Sequence, residues 1–194
     1  LFATVDSLQR ELPIKDVQEP LILSDTVGFI QNLPTTLIES FKSTLLVATS
    51  ADLLIHVVDA ATAIPEMHIG TVREILDQIE VTANEEMVFN KVDRIDQASL
   101  NDLTERYPQA LFISSLKKIG IDELIEKIST EIYGDIQKTS FLVEPKNLDK
   151  VNRFGEILEV KNSSKLLLIE IKMRSKLVKK LKALNLIKDP QNAE

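Results

Sequence analysis

The feature of this sequence that most limits its fold is an alternation of short apolar runs with longer amphipathic stretches. Continuous β-branched runs are typical of strands buried on both faces, and a 3.6-residue apolar period is typical of helices. We expect strands at Leu21–Ser24, Leu53–Val58, Met87–Phe89 and Ala110–Ile113, and helices at Pro34–Thr49, Met67–Ile79, Ala98–Arg106 and Ile121–Ile132. Strands that alternate with helices predict an α/β fold with a parallel sheet and helices on both faces.

The pattern changes near Thr139. Two strand-like runs, at residues 156–161 and 165–172, flank Asn162–Ser164 and predict a β-hairpin. Ser175 is then expected to cap a basic amphipathic helix, whose apolar positions are Leu177, Val178, Leu181 and Leu184. We therefore expect a larger α/β domain at residues 1–138 and a small α+β domain at residues 139–194.

Charge supports a division of this kind. Residues 1–145 contain 11 Lys and Arg against 24 Asp and Glu, whereas residues 146–194 contain 12 against 6. A basic tail suggests a polyanionic partner, but on charge alone a solvated lysine-rich surface is the favoured interpretation. The chain has no Cys and no apolar run of the roughly 18 residues that a membrane span needs. Disulfides and thiolate metal sites are excluded, and a cytoplasmic protein without an integral membrane segment is expected.

Polar residues follow three of the predicted strands. These loops are Asp25–Gly28, Asn90–Asp93 and Ser114–Lys117. In doubly wound α/β proteins, ligands bind at the carboxyl ends of the strands. We therefore expect the three loops to lie on one rim of one sheet, each after a buried strand.

Each loop suggests part of a nucleotide site. Asp25 can hold Mg²⁺ through water, and Gly28 lets the backbone approach a terminal phosphate. Asn90 and Asp93 offer acceptors and donors to a base: a carboxylate can accept from the ring N–H and the exocyclic amine of guanine, a donor pair that adenine lacks. Lys91 can pack its stem across the base or ribose. The serines of the third loop can present backbone N–H groups to the guanine oxygen.

The order of these loops resembles that of Ras-like P-loop GTPases, and further segments resemble the HflX family among them. Leu1–Asp6 and Asp25–Ile30 are similar to the two switch segments of that family. The resemblance implies that Thr4 and Asp25 contact Mg²⁺. The nucleotide-binding residues that it implies are Asp25, Thr26, Val27, Gly28, Asn90, Lys91, Val92, Asp93, Ser114, Ser115 and Leu116.

The same resemblance implies a GTP-hydrolysing switch protein of the cytoplasm that binds GTP and GDP. It also implies association with the RNA and protein of the large ribosomal subunit, and no DNA partner. Phe29 occupies the position where Ras-type enzymes have the glutamine that orients the attacking water. Its ring can neither donate nor accept a hydrogen bond, so slow intrinsic hydrolysis is expected and no catalytic residue is assigned.

The phosphate-binding motif G-x-x-x-x-G-K-[ST] does not occur in the sequence. In the family, that loop precedes the first switch segment, together with a central strand and the first helix. We expect unpaired strand edges beside the position of the central strand, and no useful GTP binding by these 194 residues alone. The alternative is a nucleotide-free module that docks on the ribosome or on RNA. The basic residues available for docking are Lys172, Arg174, Lys176, Lys179, Lys180 and Lys182.

Three further residues are assigned no role in the site. His56 lies inside a predicted strand, and we expect a core histidine bonded to backbone. Glu85 and Glu86 are expected to be solvated loop charges.

Overall fold

A computed structural model describes residues 8–14, 17–25, 47–163 and 165–190. Contacts divide the chain into two compact units, the first lying mostly between residues 47 and 125 and the second mostly between residues 126 and 190. Each unit is described by itself, and the domain boundary after residue 138 stays a prediction.

Near the start of the chain, β1 (Leu8–Ile14) and β2 (Val17–Asp25) form a two-stranded sheet. The predicted strand at residues 21–24 lies within β2. The side chains of Ile22 and Leu23 are 56% and 38% exposed, so this run is not buried as expected.

The first unit is built on a three-stranded parallel sheet in the order β3-β4-β5. Its strands are β3 (Leu53–Asp59), β4 (Asn84–Asn90) and β5 (Leu111–Phe112). Helix α1 (Pro65–Gln78) connects β3 to β4, and α2 (Gln97–Arg106) connects β4 to β5. The expected strand and helix alternation is confirmed, and with it the α/β class.

Phe89 is the centre of the core between this sheet and its helices. It is fully buried with Val58 of β3, Ile69 of α1 and Leu103 of α2 around it. Its ring is stacked on Phe112, with centroids 5.4 Å apart. Burying a side chain of this size contributes about 1.5–3 kcal/mol. The core therefore fixes the carboxyl end of β4, directly before the Asn90 loop.

Two expectations about this sheet are wrong. β2 pairs with β1 and not with β3, so the Asp25 loop does not belong to the sheet that carries the other two loops. β3 is not buried on both faces, because Val57 is 56% exposed. Within the described residues, no strand continues the ladder beyond β3, so β3 is an edge strand there.

His56 and Glu85 also differ from expectation. Glu85 lies within β4 and accepts a hydrogen bond of 2.5 Å from Nδ1 of the buried His56. Arg73 of α1 donates to the other oxygen of Glu85 at 2.8 Å. Glu86 is buried rather than solvated. The His56 side chain is thus buried as expected of a core histidine, but its hydrogen-bond partner is a carboxylate.

Helix α3 (Ile121–Tyr133) is followed by the strands of the second unit. They are β6 (Ile136–Val143), β7 (Gly155–Ser163) and β8 (Leu166–Arg174), in the antiparallel order β6-β8-β7, and the short helix α4 (Leu148–Val151) precedes β7. The β7–β8 hairpin is as expected. β6 is an additional strand that the sequence pattern did not reveal.

Helix α5 (Ser175–Ala183) buries Leu177 and Leu181. The expectation that Ser175 caps it is wrong, since the N-cap is Arg174 and Ser175 is the first helical residue. Leu184 is 53% exposed and does not belong to the buried face.

Arg174 joins α3 to β8 in the second unit. Its side chain is 1% exposed. The guanidinium donates to both carboxylate oxygens of Glu126, at 3.2 and 2.9 Å, and to the carbonyl oxygen of Gly134 at 3.2 Å. This hydrogen bonding holds the pKa of Glu126 below its usual value. A bidentate pair of this kind fixes geometry as well as charge.

Candidate functional site

The loop after β4 begins with Asn90 and turns sharply at Lys91. Lys91 has φ 68° and ψ 33°, in the left-handed region, and a 3₁₀ turn follows at Val92–Arg94. A non-glycine residue in this region is uncommon and costs free energy, so it persists where other contacts hold it. Contacts of Asn90, Asp93 and Asp59 stabilise this backbone conformation of Lys91.

Asn90 ties the loop after β4 to the loop after β5. Its Oδ1 accepts from the backbone N–H of Lys91 at 2.7 Å, and from both the N–H and the hydroxyl of Ser115 at 3.0 Å each. The oxygen of Asn90 is thus engaged within the protein, and the expected contact of Asn90 with a base stays a prediction. This oxygen organises the two loops.

Asp93 is held by the same neighbouring loop. The hydroxyl of the fully buried Ser114 donates to Asp93 Oδ1 at 2.5 Å and accepts from the N–H of Lys117 at 3.0 Å. The hydrogen bond from Ser114 holds the pKa of the Asp93 carboxyl below its usual value. Asp93 is exposed, so a charged acceptor of fixed orientation faces the solvent.

Asp59, at the carboxyl end of β3, contacts Lys91. Its Oδ2 accepts from the Lys91 ammonium at 2.6 Å, and its Oδ1 accepts from the N–H of Ala61 at 3.0 Å. Burial acts to raise the pKa of Asp59, but the hydrogen bonds from Lys91 and Ala61 outweigh it, and the pKa is lowered. Sequence reasoning missed Asp59, although it ends β3 as Asn90 ends β4.

The two loops enclose an open cleft of about 250 Å³. The residues that line it are Asn90, Lys91, Asp93, Arg94, Ser115 and Leu116. Leu116 is 76% exposed. Five of these residues were expected at the site, and Arg94 was not.

The backbone amides of the loop after β5 are mostly used internally. Ser114 N–H donates to the carbonyl oxygen of Ile119, and Ser115 N–H donates to Asn90. Gly120 closes the loop at φ 69°, where an added Cβ would lie 2.7 Å from the Phe112 carbonyl oxygen. Of the residues Ser114–Leu116, Leu116 alone has an amide with no acceptor in the portion of the chain described here.

Of the other expected residues that the structure describes, Asp25 does not line this cleft. Asp25 is the exposed last residue of β2, in the other sheet. Thr4, Thr26, Val27, Gly28 and Phe29 lie outside the described residues. A metal-binding group of three or more His, Cys, Asp or Glu is not found in residues 8–14, 17–25, 47–163 and 165–190.

Most of the basic residues considered for docking have partners within the second unit. Arg174 binds Glu126, and Lys176 donates to the carbonyl oxygen of Glu131 at 2.5 Å. Lys182 pairs with Asp189 at 2.8 Å. The ammonium of Lys180 lies 5.7 Å from the centre of the Phe154 ring. Four of the six thus serve intramolecular contacts, which weakens the case for a docking module.

Sequence comparison relates the chain to proteins named GTPase HflX. The chain is 36% identical to that of Caldanaerobacter subterraneus over 143 residues, which cover 73% of this chain and 32% of the relative. For Flavobacterium psychrophilum the identity is 39%, over 73% of this chain and 39% of the relative. For Escherichia coli K12 the identity is 31%, over 81% of this chain and 37% of the relative. The chain thus spans about a third of the length of these relatives.

A solved structure with a similar fold is a crystal structure of a mutation variant of SsGBP. Its TM-score is 0.53 at 28% sequence identity, over 63% of this chain and 46% of that one. No family model matches the chain. Among the helices of the described residues, none has the length and apolar character that a membrane crossing requires.

Proposed function

Because this chain is a member of the HflX family of GTPases by sequence, we propose that its function is to bind and hydrolyse GTP as a conformational switch. The observation that carries the proposal is the hydrogen bonding between the two loops after β4 and β5. It presents the Asp93 carboxylate at one cleft and leaves the Leu116 amide beside it as a donor.

Guanine is the base that suits this cleft. The Asp93 carboxylate accepts from the ring N–H and the exocyclic amine of guanine, and hydrogen bonds to a charged acceptor are among the stronger ones in proteins. Adenine has no such donor pair. The hydrogen bond from Ser114, which lowers the pKa of Asp93, favours the charged form of this acceptor.

The guanine oxygen is assigned to the Leu116 amide. The serine amides that sequence reasoning favoured for this contact are already used by Ile119 and Asn90. Discrimination between guanine and adenine then comes from two contacts. Besides Asp93, a donor faces the guanine oxygen, where adenine has an amine that repels it.

Lys91 supplies the wall of the cleft. Its left-handed backbone turns the side chain back toward the end of β3, and its ammonium is held there by Asp59. The alkyl stem between these two fixed points is a flat apolar surface against which a purine or ribose can pack.

Thr4 and Asp25 would hold Mg²⁺, since one or two hard oxygen ligands plus phosphate oxygens suit this ion. Bound there, Mg²⁺ would neutralise negative charge on the phosphates. Asp25 is exposed at a strand end, which fits a ligand that acts through water. Phe29 implies that hydrolysis by this chain's own residues is slow, because its ring cannot orient water.

We also propose, from the resemblance to the HflX family, that the protein acts in the cytoplasm on the large ribosomal subunit. Sedimentation tests this second part. The product of the complete gene should pellet with 50S subunits through a sucrose cushion when GTP or a non-hydrolysable analogue is present. Recovery only in the supernatant under both conditions would contradict it.

Nucleotide binding is tested with a fluorescent GDP analogue, using the product of the complete gene beside the isolated 194-residue chain. We expect saturable binding by the former that GTP and GDP displace and ATP does not. The isolated chain is expected to give no tight binding, because its sequence has no motif to supply the phosphate-binding amides and lysine. Equal displacement by ATP would rule out the guanine assignment.

A further inference from the structure

We propose that Asp59 is a positioning residue, which sets the direction of the Lys91 side chain before any nucleotide arrives. The inference rests on the proposed function of the cleft, and adds to it a residue from a third strand. β3 and β4 are neighbours in the sheet, and Asp59 is the register partner of Asn90. The carboxyl end of β3 is therefore beside the start of the Lys91 turn.

The orientation of the Asp59 carboxylate is fixed by its own turn. Oδ1 accepts from the N–H of Ala61, two residues further on, and Ala60 N–H donates to the Asn90 carbonyl oxygen at 2.8 Å. Oδ2 is then directed at the Lys91 ammonium, at 2.6 Å. The Asp59 carboxylate thus binds the backbone of its own turn through one oxygen, and the Lys91 side chain of the loop after β4 through the other.

Lys91 is fixed from the other side by its backbone. Its positive φ is held by the hydrogen bond from its N–H to Asn90 Oδ1. With both ends held, the four-carbon stem has one path, and this path borders the cleft. A lysine that is ordered before binding does not lose that freedom on binding.

The position and exposure of Asp59 predict how its effect on nucleotide affinity differs from that of a residue that recognises the base. Asp59 and Lys91 are 38% and 45% exposed, so their attraction is screened by salt. Asp59 does not line the cleft and should not distinguish one base from another. Its loss should weaken binding of guanine nucleotides without changing the preference for guanine over adenine.

The test compares D59N with wild type in the product of the complete gene, using a fluorescent GDP analogue. We expect affinity about two- to tenfold lower in D59N, with unchanged discrimination against ATP. The difference should shrink between 50 mM and 1 M NaCl, as expected for an exposed ion pair. D77N, which changes an exposed carboxylate at the end of α1, is the matched control and should bind as wild type.

A double-mutant cycle separates positioning from a general structural effect. In a K91M background, D59N should cause no further loss, because the side chain that it positions no longer carries a charge. An equal loss in both backgrounds would overturn the inference, and so would wild-type affinity in D59N. If wild type itself binds no guanine nucleotide, the proposed function fails first, and this outcome is distinct from the other two.

Discussion

The hydroxyl of Ser114 donates a hydrogen bond of 2.5 Å to the carboxylate of Asp93, across the two loops that form the cleft. Because this bond lowers the pKa of Asp93, S114A should move that pKa upward, toward the usual value of 3.8. Asp93 has a depressed folded pKa, so its charged form is lost as the pH falls through that value. Guanine-nucleotide affinity should therefore begin to fall at a higher pH in S114A, which titrations with a fluorescent GDP analogue between pH 5 and 3 would measure. S99A, at an exposed serine in α2, should keep the wild-type profile.

Substitution D93N should change which purine the cleft prefers. The amide nitrogen of Asn donates where the carboxylate accepts, so the match to the guanine amine is lost and a match to the carbonyl of xanthine is gained. We expect guanine-nucleotide affinity to fall about 10- to 100-fold, as for loss of a charged hydrogen-bond acceptor. Competition between GDP and xanthosine diphosphate measures this change in base preference. Unchanged preference in D93N would show that the Asn90 loop does not read the base.

Loss of the Glu126 charge should destabilise the second unit. E126Q leaves the buried guanidinium of Arg174 without its counter-charge, and breaking a buried pair costs about 3–5 kcal/mol. Glu126 is 62% exposed, so water can replace part of the contact and we expect about 1–3 kcal/mol. Urea unfolding measures this, and E74Q, at an exposed position on α1, serves as the control.

The same pair predicts a dependence of stability on pH. The folded pKa of Glu126 is lowered from 4.5, so its contribution is complete above that value and is lost as the pH falls through the folded pKa. Wild type and E126Q should therefore converge in stability at acid pH. A constant difference from pH 7 to pH 3 would contradict the assignment of the pair.

Two glycines should respond in opposite ways to alanine. Gly134 has φ 78°, and an added Cβ would lie 2.2 Å from the hydroxyl oxygen of Ser175, so G134A should cost at least about 1–3 kcal/mol. Gly70 lies within α1 and an added Cβ meets nothing within 4 Å, so G70A should stabilise by about 0.5–1 kcal/mol. Thermal unfolding of both variants is the measurement. A loss of stability in G70A would contradict the packing described for α1.

Much of the first unit could be predicted from the sequence, because its signals are local. Apolar runs and helical periods placed β3, β4, α1 and α2 to within a few residues. The rule that ligands lie beyond strand ends also selected five of the six residues that line the cleft. It selected Asp25 as well, but the sheet that carries Asp25 is a separate one.

What could not be predicted depends on contacts between distant residues. Asn90 Oδ1 is bonded to Ser115, 25 residues away, so a polar side chain expected to face a ligand is engaged with its own chain. The pairing of Arg174 with Glu126 spans 48 residues. β6 was missed for a different reason: its first three residues are exposed, and its buried residues come only at the end, so no alternation is visible.

The exposed side of β3 has a practical consequence for anyone who purifies this chain. Among the described residues no strand pairs with its outer backbone groups, and the exposed apolar side chain of Val57 lies on the same strand. Two copies of the chain can pair through this strand edge, so light scattering should rise with concentration. The substitution V57K should suppress that rise.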